Sequence, residues 1–240
     1  MKTRLTNLIT QYSVGGIVLE SAWTIKDKKL FVKFQSESET ILGLAQLDDF
    51  DANDNQFGVS NSQQLLSGLK PLDDDATITV EYDRMRIKFK DSSGAENIRT
   101  LSNIDILAIE NPNPENSFNF KRDQFDFEIE LNDEFYSKLN KIRNIESNNL
   151  AFRAITNTSG EVIVNYSTNN ENTGKFPIKL KLGTPMSSPI LFDTDNFIKI
   201  LLANKHMDSK SLLISNELGL AQLKFKSKGL NIMYYLIHLA

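Results

Sequence analysis

Apolar residues recur along this chain in two rhythms: a period near 3.6 in a few short segments, and a period of 2 in many more. Leu5, Leu8, Ile9 and Tyr12 share one face of a helix expected over 3–13, which Gly15-Gly16 ends. Runs at 17–22, 30–34 and 40–47 predict strands, separated by polar breaks such as Lys26-Asp27-Lys28-Lys29. An acidic loop at 48–56 and a short strand near 57–59 follow. A second helix is expected from Ser60 or Asn61, carrying Leu65, Leu66 and Leu69, with Pro71 and Asp73-Asp74-Asp75 ending it. Residues 77–82 and 85–90 alternate around a turn at Asp83-Arg84, and a further strand runs through 98–101.

The rhythm then breaks at Glu110-Asn111-Pro112-Asn113-Pro114-Glu115-Asn116-Ser117. Two prolines without backbone donors, and no large apolar side chain, suit neither a helix interior nor a sheet. This reads as a connector. Past it the pattern restarts. Phe125, Phe127, Ile129 and Leu131 alternate strictly, and a helix over 132–145 carries Phe135, Leu139 and Ile142. Strands are expected at 150–155, 162–166, 176–182 and 189–192. Asp193 or Thr194 caps a helix carrying Phe197, Ile198, Ile200, Leu201 and Leu202. Strands at 211–214, 220–225 and 230–239 complete the chain.

The second half is therefore strand-helix-strand-strand-strand, twice, and the first half shows the same order with its opening strand missing or very short. Local sequence agrees. Leu5, Leu8, Ile9 and Tyr12 match Phe135, Lys138, Leu139 and Ile142 at an offset of 130, and Ile87-Lys88-Phe89-Lys90 matches Leu223-Lys224-Phe225-Lys226 at 136. A repeat of this size implies a duplicated α+β domain, with 1–109 and 118–240 joined by 110–117.

Composition narrows the function. The chain has 240 residues, 27 basic and 31 acidic side chains and no cysteine, which removes disulfides and thiol chemistry. Residues 1–109 carry 12 basic and 16 acidic side chains, against 15 and 13 in 118–240. No apolar run approaches the ~18 residues that span a bilayer, and the first residues do not form a signal peptide. A cytoplasmic protein without membrane contact is expected.

Candidate chemistry is sparse. His206 and His238 have no nameable partner. Asp49-Phe50-Asp51-Ala52-Asn53 begins like a calcium loop, but Asp54 stands where glycine is needed and Ser60 where a bidentate glutamate belongs. Asp73-Asp74-Asp75 reads as a solvated turn, and no nucleophile-base pair is evident. The expectation is a non-enzymatic protein with no cofactor and no metal. The helices carry the positive signal. Arg4, Lys70, Lys138, Lys141, Arg143, Lys199 and Lys205 lie on or beside them, with few acids. Set side by side, such faces would attract phosphates without reading bases.

With those features the chain resembles the sliding clamps that hold replicative DNA polymerases on their template. The ending Lys226-Ser227-Lys228-Gly229-Leu230-Asn231-Ile232-Met233-Tyr234-Tyr235-Leu236 resembles the last hairpin of eukaryotic and archaeal clamps. Gly43-Leu44-Ala45-Gln46-Leu47 resembles their Ser-Leu-Val-Gln-Leu strand. The proline-containing connector, the length and the stop after Ala240 look most like clamps of T-even-type bacteriophages. Gln11, Gln63 and Gln64 stand where many clamps have lysine.

The resemblance implies the DNA clamp fold: two similar domains, each of two β-α-β-β-β units, with helices inside a ring and sheets outside. It implies a homotrimer closed head to tail. The subunit edges would be Ile98, Arg99, Thr100 and Leu101 on one side, and Phe176, Ile178, Lys179 and Leu180 on the other. Partners would be duplex DNA, a DNA polymerase and a clamp-loader ATPase. A docking pocket would be walled by Leu42, Leu44, Ile109, Phe118, Tyr235, Leu236 and Ile237. The alternative is a monomeric clamp-fold accessory subunit.

Overall fold

In a computed structural model of the chain, the described residues are 1–107, 109, 120–137, 149–156, 162–168, 176–179 and 190–239. They form two compact units: Met1–Phe118 with Lys226–Met233, and Asn119–Phe225 with Tyr234–Ala240.

The first unit opens with α1 (Lys2–Tyr12), which buries Leu5, Leu8, Ile9 and Tyr12, the face the 3.6 period marked. Its exit is left-handed, with φ of 48° at Val14, 67° at Gly15 and 100° at Gly16. The strand expected at 17–22 is displaced as a result. Ile17 keeps helical angles, the Val18 N–H donates to the Ser13 carbonyl at 3.1 Å, and β1 spans Ser21–Lys26. Asp27 and Lys28, both at positive φ, form the two-residue turn into β2 (Lys29–Gln35). β3 (Ile41–Leu47) and β4 (Asn55–Val59) complete a sheet segment ordered β4-β1-β2-β3. In β3 burial alternates strictly. A Cβ at Gly43 would lie 2.1 Å from the Phe34 ring, so this position has no room for a side chain. Phe34 in turn stacks on Tyr12, centroids 5.4 Å apart.

α2 (Ser62–Leu69) is capped by the Asn61 side chain, which accepts from the Gln64 N–H at 3.0 Å. α1 and α2 are joined through a buried hydroxyl cluster, Tyr12 Oη lying 2.9 Å from Ser62 Oγ and 3.1 Å from Ser21 Oγ. β5 (Thr77–Glu81), β6 (Arg86–Lys90) and β7 (Glu96–Thr100) form a second antiparallel sheet in that order. Met85, at φ 46°, makes the turn before β6 left-handed.

The second unit follows the same order, now with its opening strand, β8 (Phe127–Glu130). Residues 133–137 are helical (α3), and the Asn132 side chain caps them by accepting from the Phe135 N–H at 3.0 Å. The remainder of the helix expected to 145 lies outside the described residues. β9 (Asn149–Thr156), β10 (Val162–Thr168), β11 (Phe176–Lys179) and β12 (Ile190–Asp193) form a sheet ordered β11-β10-β9-β12. Asp193 is the cap of α4 (Thr194–Ala203), accepting from the Asn196 N–H at 2.7 Å. β13 (Ser209–Ser215), β14 (Leu220–Ser227) and β15 (Leu230–Ile237) follow, and β15, β14, β13 and β8 are sheet neighbours in that order. Phe152, Phe192 and Phe197 form the aromatic centre of this unit, with centroids 5.3–6.4 Å apart.

Candidate nucleic-acid and partner interfaces

The expected DNA-facing cations divide into two kinds. Arg4 is held by the protein itself. Its guanidinium donates to the Asp48 carbonyl at 2.5 Å and to the Gly229 carbonyl at 3.4 Å, with Asp49 at 3.9 Å. Lys2 behaves likewise, donating to the Leu72 carbonyl at 2.6 Å with Asp74 at 3.5 Å. Lys70, Lys199 and Lys205 are exposed and form no ion pair among the described residues. Lys138, Lys141 and Arg143 lie outside the described residues.

Both stretches expected at subunit edges are at sheet ends. β7 closes the order β5-β6-β7, and β11 opens β11-β10-β9-β12. On β7, Ile98 is 42% exposed, a large apolar side chain left in water, and Thr100 is exposed beside it. Arg99 folds back, its Nε donating to the Gln64 carbonyl at 3.2 Å. Leu101 is core. On β11, the backbone pairs with β10 through Lys179, Ile178, Pro177 and Phe176. Pro177 has no N–H to donate, which suits an outermost strand. Leu180 lies outside the described residues.

The expected docking residues also separate by environment. In the first unit, Leu42 and Leu44 point half-exposed from β3, and Ile109 is buried but lines a pocket of about 340 Å³. In the second, Tyr235 and Leu236 are buried, whereas Ile237 is 45% exposed. Burial raises the Tyr235 pKa, partly offset by the Gln222 amide that donates to its hydroxyl at 2.8 Å. Phe118 lies outside the described residues. The pocket at Ile109 also has Ile17, Leu19, Glu20, Gln35, Ser36, Glu37, Glu39 and Ser60 in its lining. Apart from Ile109, sequence reading missed this group because it gathers four separate stretches. Its one visible signal is Leu19, an apolar residue 39% exposed beside Glu20.

Among the described residues no three His, Asp or Glu side chains are placed to hold a metal. His206 is exposed, and His238 is a structural contact, its Nδ1 accepting from the Leu191 N–H at 3.0 Å. Among the described residues, no helix is long and apolar enough to cross a membrane.

The paired helix-and-strand units and the antiparallel sheets define an α+β protein of the DNA-clamp fold. The crystal structure of Proliferating Cellular Nuclear Antigen from Entamoeba histolytica matches over 100% of this chain and 96% of its own, with a TM-score of 0.73 and 15% sequence identity. No protein-family model and no curated protein sequence matches.

Proposed function

We propose that this chain is a sliding clamp: a non-catalytic processivity factor that encircles duplex DNA and tethers a polymerase. The observation that carries the reading is the fold match, which spans the whole chain rather than one domain. Two duplicated domains, 1–109 and 118–240 joined at 110–117, would close as a head-to-tail homotrimer. In that assembly β7 of one subunit adds to β11 of the next, main chain to main chain. Two strands at sheet ends, with exposed Ile98 on one of them, support this. Closure around DNA needs little affinity. Lys70, Lys199 and Lys205, with Lys138, Lys141 and Arg143, would supply weak phosphate contacts that allow sliding. Partner anchors would dock on Leu42, Leu44, Ile109 and Phe118 and on Tyr235, Leu236 and Ile237, with a clamp-loader ATPase placing the ring. Kinship with T-even-type phage clamps acting in the host cytoplasm is part of this proposal.

The test has two readouts. Sedimentation at micromolar concentration should show a species of three chain masses. With cognate polymerase, loader and ATP, the product made per binding event should lengthen. A species of one chain mass that still stimulates synthesis would favour the monomeric accessory subunit, a reading supported by the engagement of Lys2 and Arg4 within the protein. Unchanged product length would overturn both.

A further inference from the structure

We propose that the outer edge of β5 is a docking site for an extended, basic segment of a partner protein, which adds to the β5-β6-β7 sheet as a fourth strand. The internal repeat points to it. β13 in the second unit and β5 in the first hold the same place, each followed by the matching strands β14 and β6, whose Leu223-Lys224-Phe225-Lys226 and Ile87-Lys88-Phe89-Lys90 align. β8 covers the outer side of β13, pairing antiparallel with Ser211 opposite Glu130 and Ile214 opposite Phe127. Leu212, Leu213, Ile214 and Ser215 are all buried there. Among the described residues no strand covers β5, and none of its residues is buried. Ile78 and Val80 stay half-exposed. Every second residue of such an edge turns its N–H and carbonyl outward, where another chain can pair with them.

The edge opens on a cleft of about 600 Å³, lined by Ile78, Thr79 and Val80 of β5 and by residues 51–54 of the loop before β4. That loop is tied down. The Tyr82 hydroxyl donates to the Asn53 carbonyl at 2.8 Å, and the Asp54 carboxylate accepts from the Asp27 N–H at 3.1 Å. The Tyr82 ring itself lies 6.3 Å from that of buried Phe57. An incoming strand therefore meets walls that are already ordered and loses less entropy on binding.

Charge decides which chain. Asp27, Asp51 and Asp54 line the cleft, and Lys28 is the one cation beside them among the described residues. All three aspartates are exposed and form no ion pair among the described residues. A metal ion does not fit, because no three carboxylates among the described residues are placed to share one. A second copy of this chain, pairing β5 with β5, would bring two acidic loops together, and like charges repel. A segment that alternates lysine or arginine with β-branched residues answers both features: its apolar side chains cover Ile78 and Val80, and its cations meet the aspartates. β5 and β7 lie at opposite ends of their sheet, so the site is separate from the proposed subunit edge and does not depend on the clamp reading.

Fluorescence anisotropy of the full chain tests this, with a labelled octapeptide of alternating lysine and valine. Saturable binding that weakens with salt is expected. Two readouts of main-chain pairing need no variant. Hydrogen exchange of the outward-facing amides within 77–81 should slow about fivefold or more at saturation. Of two peptides N-methylated at every lysine or at every valine, one should bind about tenfold or more weakly and the other within about threefold, because only one set of N–H groups faces β5. Asp51→Lys/Asp54→Lys should weaken binding about tenfold or more, with an unchanged circular-dichroism melt confirming folding. Glu130→Lys/Glu217→Lys, an equal charge change in the second unit, should leave it within about twofold. No saturable binding overturns the proposal. So do equal losses with the two methylated peptides, unslowed exchange at 77–81, or equal loss with the control pair. Slowed exchange at 77–81 that rises with protein concentration alone would seat a second copy there and overturn it too.

Discussion

α1 and α4 bury their apolar faces in the same way and use their cations in opposite ways. α1 has no side-chain cap and carries Lys2 and Arg4 in its first turn, where the helix dipole disfavours positive charge. Both are neutralised locally, by the carbonyls of Leu72, Asp48 and Gly229 and by Asp74 and Asp49. α4 is capped by Asp193 and has Asp195 in its first turn, so its N-terminus already has the charge it favours. Its cations, Lys199 and Lys205, sit mid-helix and just past the end, and remain in water. The lesson is that a count of basic residues on helices overstates the charge offered to a phosphate. Position along the helix decides which cations are engaged by the protein.

The largest expected effect tests what the two helices share. Phe197, fully buried among Phe152 and Phe192, should lose about 3–5 kcal/mol on Phe197→Ala, and Leu8→Ala in α1 about 2–5 kcal/mol. Urea midpoints measure both; a loss under 1 kcal/mol at either would mean that helix is not held by its apolar face. The next effect tests how they differ. Arg4→Ala removes its bonds to the Asp48 and Gly229 carbonyls and should cost about 1–2 kcal/mol, whereas Lys199→Ala should stay within about 0.5 kcal/mol. In duplex-DNA binding the order reverses: Lys199→Ala should lower the salt slope by about 1 per chain and Arg4→Ala should leave it unchanged. Equal slopes for the two variants would erase the distinction.

The smallest effect is silent at neutral pH. Burial pushes the Tyr136 pKa up to about 12, and burial also raises Tyr12 and Tyr234. Each is neutral when protonated, so the folded state holds its proton more tightly than the unfolded state. The stabilisation is complete below pH ~10 and declines as pH rises from there toward the raised folded value. Tyr136→Phe should make thermal melts less sensitive between pH 10 and 12; an identical pH dependence would place the alkaline loss elsewhere.

Most of the element order was legible because it rests on local periodicity. The faces of α1 and α4, the alternation of β3 and the duplicated succession of elements follow from spacing alone. One strand was expected too early. Residues 17–20 read as strand because Ile, Val and Leu favour it, yet the left-handed exit of α1 delays β1 to Ser21. Along β15, Tyr234, Tyr235 and Leu236 are all buried in succession, so no period of 2 separates core from surface there. Among the described residues of that expected docking set, only Ile237 is strongly exposed.

By itself the sequence determined which segments could be helix or strand, that the unit is repeated, and that thiol chemistry is absent, since these depend on residue type and near neighbours. Tertiary structure decided the rest. It assigned Arg4 to Asp48 and Gly229, residues 44 and 225 positions away. It made Gly43 obligatory through Phe34, and gathered Ile17, Leu19, Glu37, Glu39 and Ile109 around one pocket. Those outcomes depend on which distant backbone comes within hydrogen-bonding or van der Waals reach, and no local pattern encodes that.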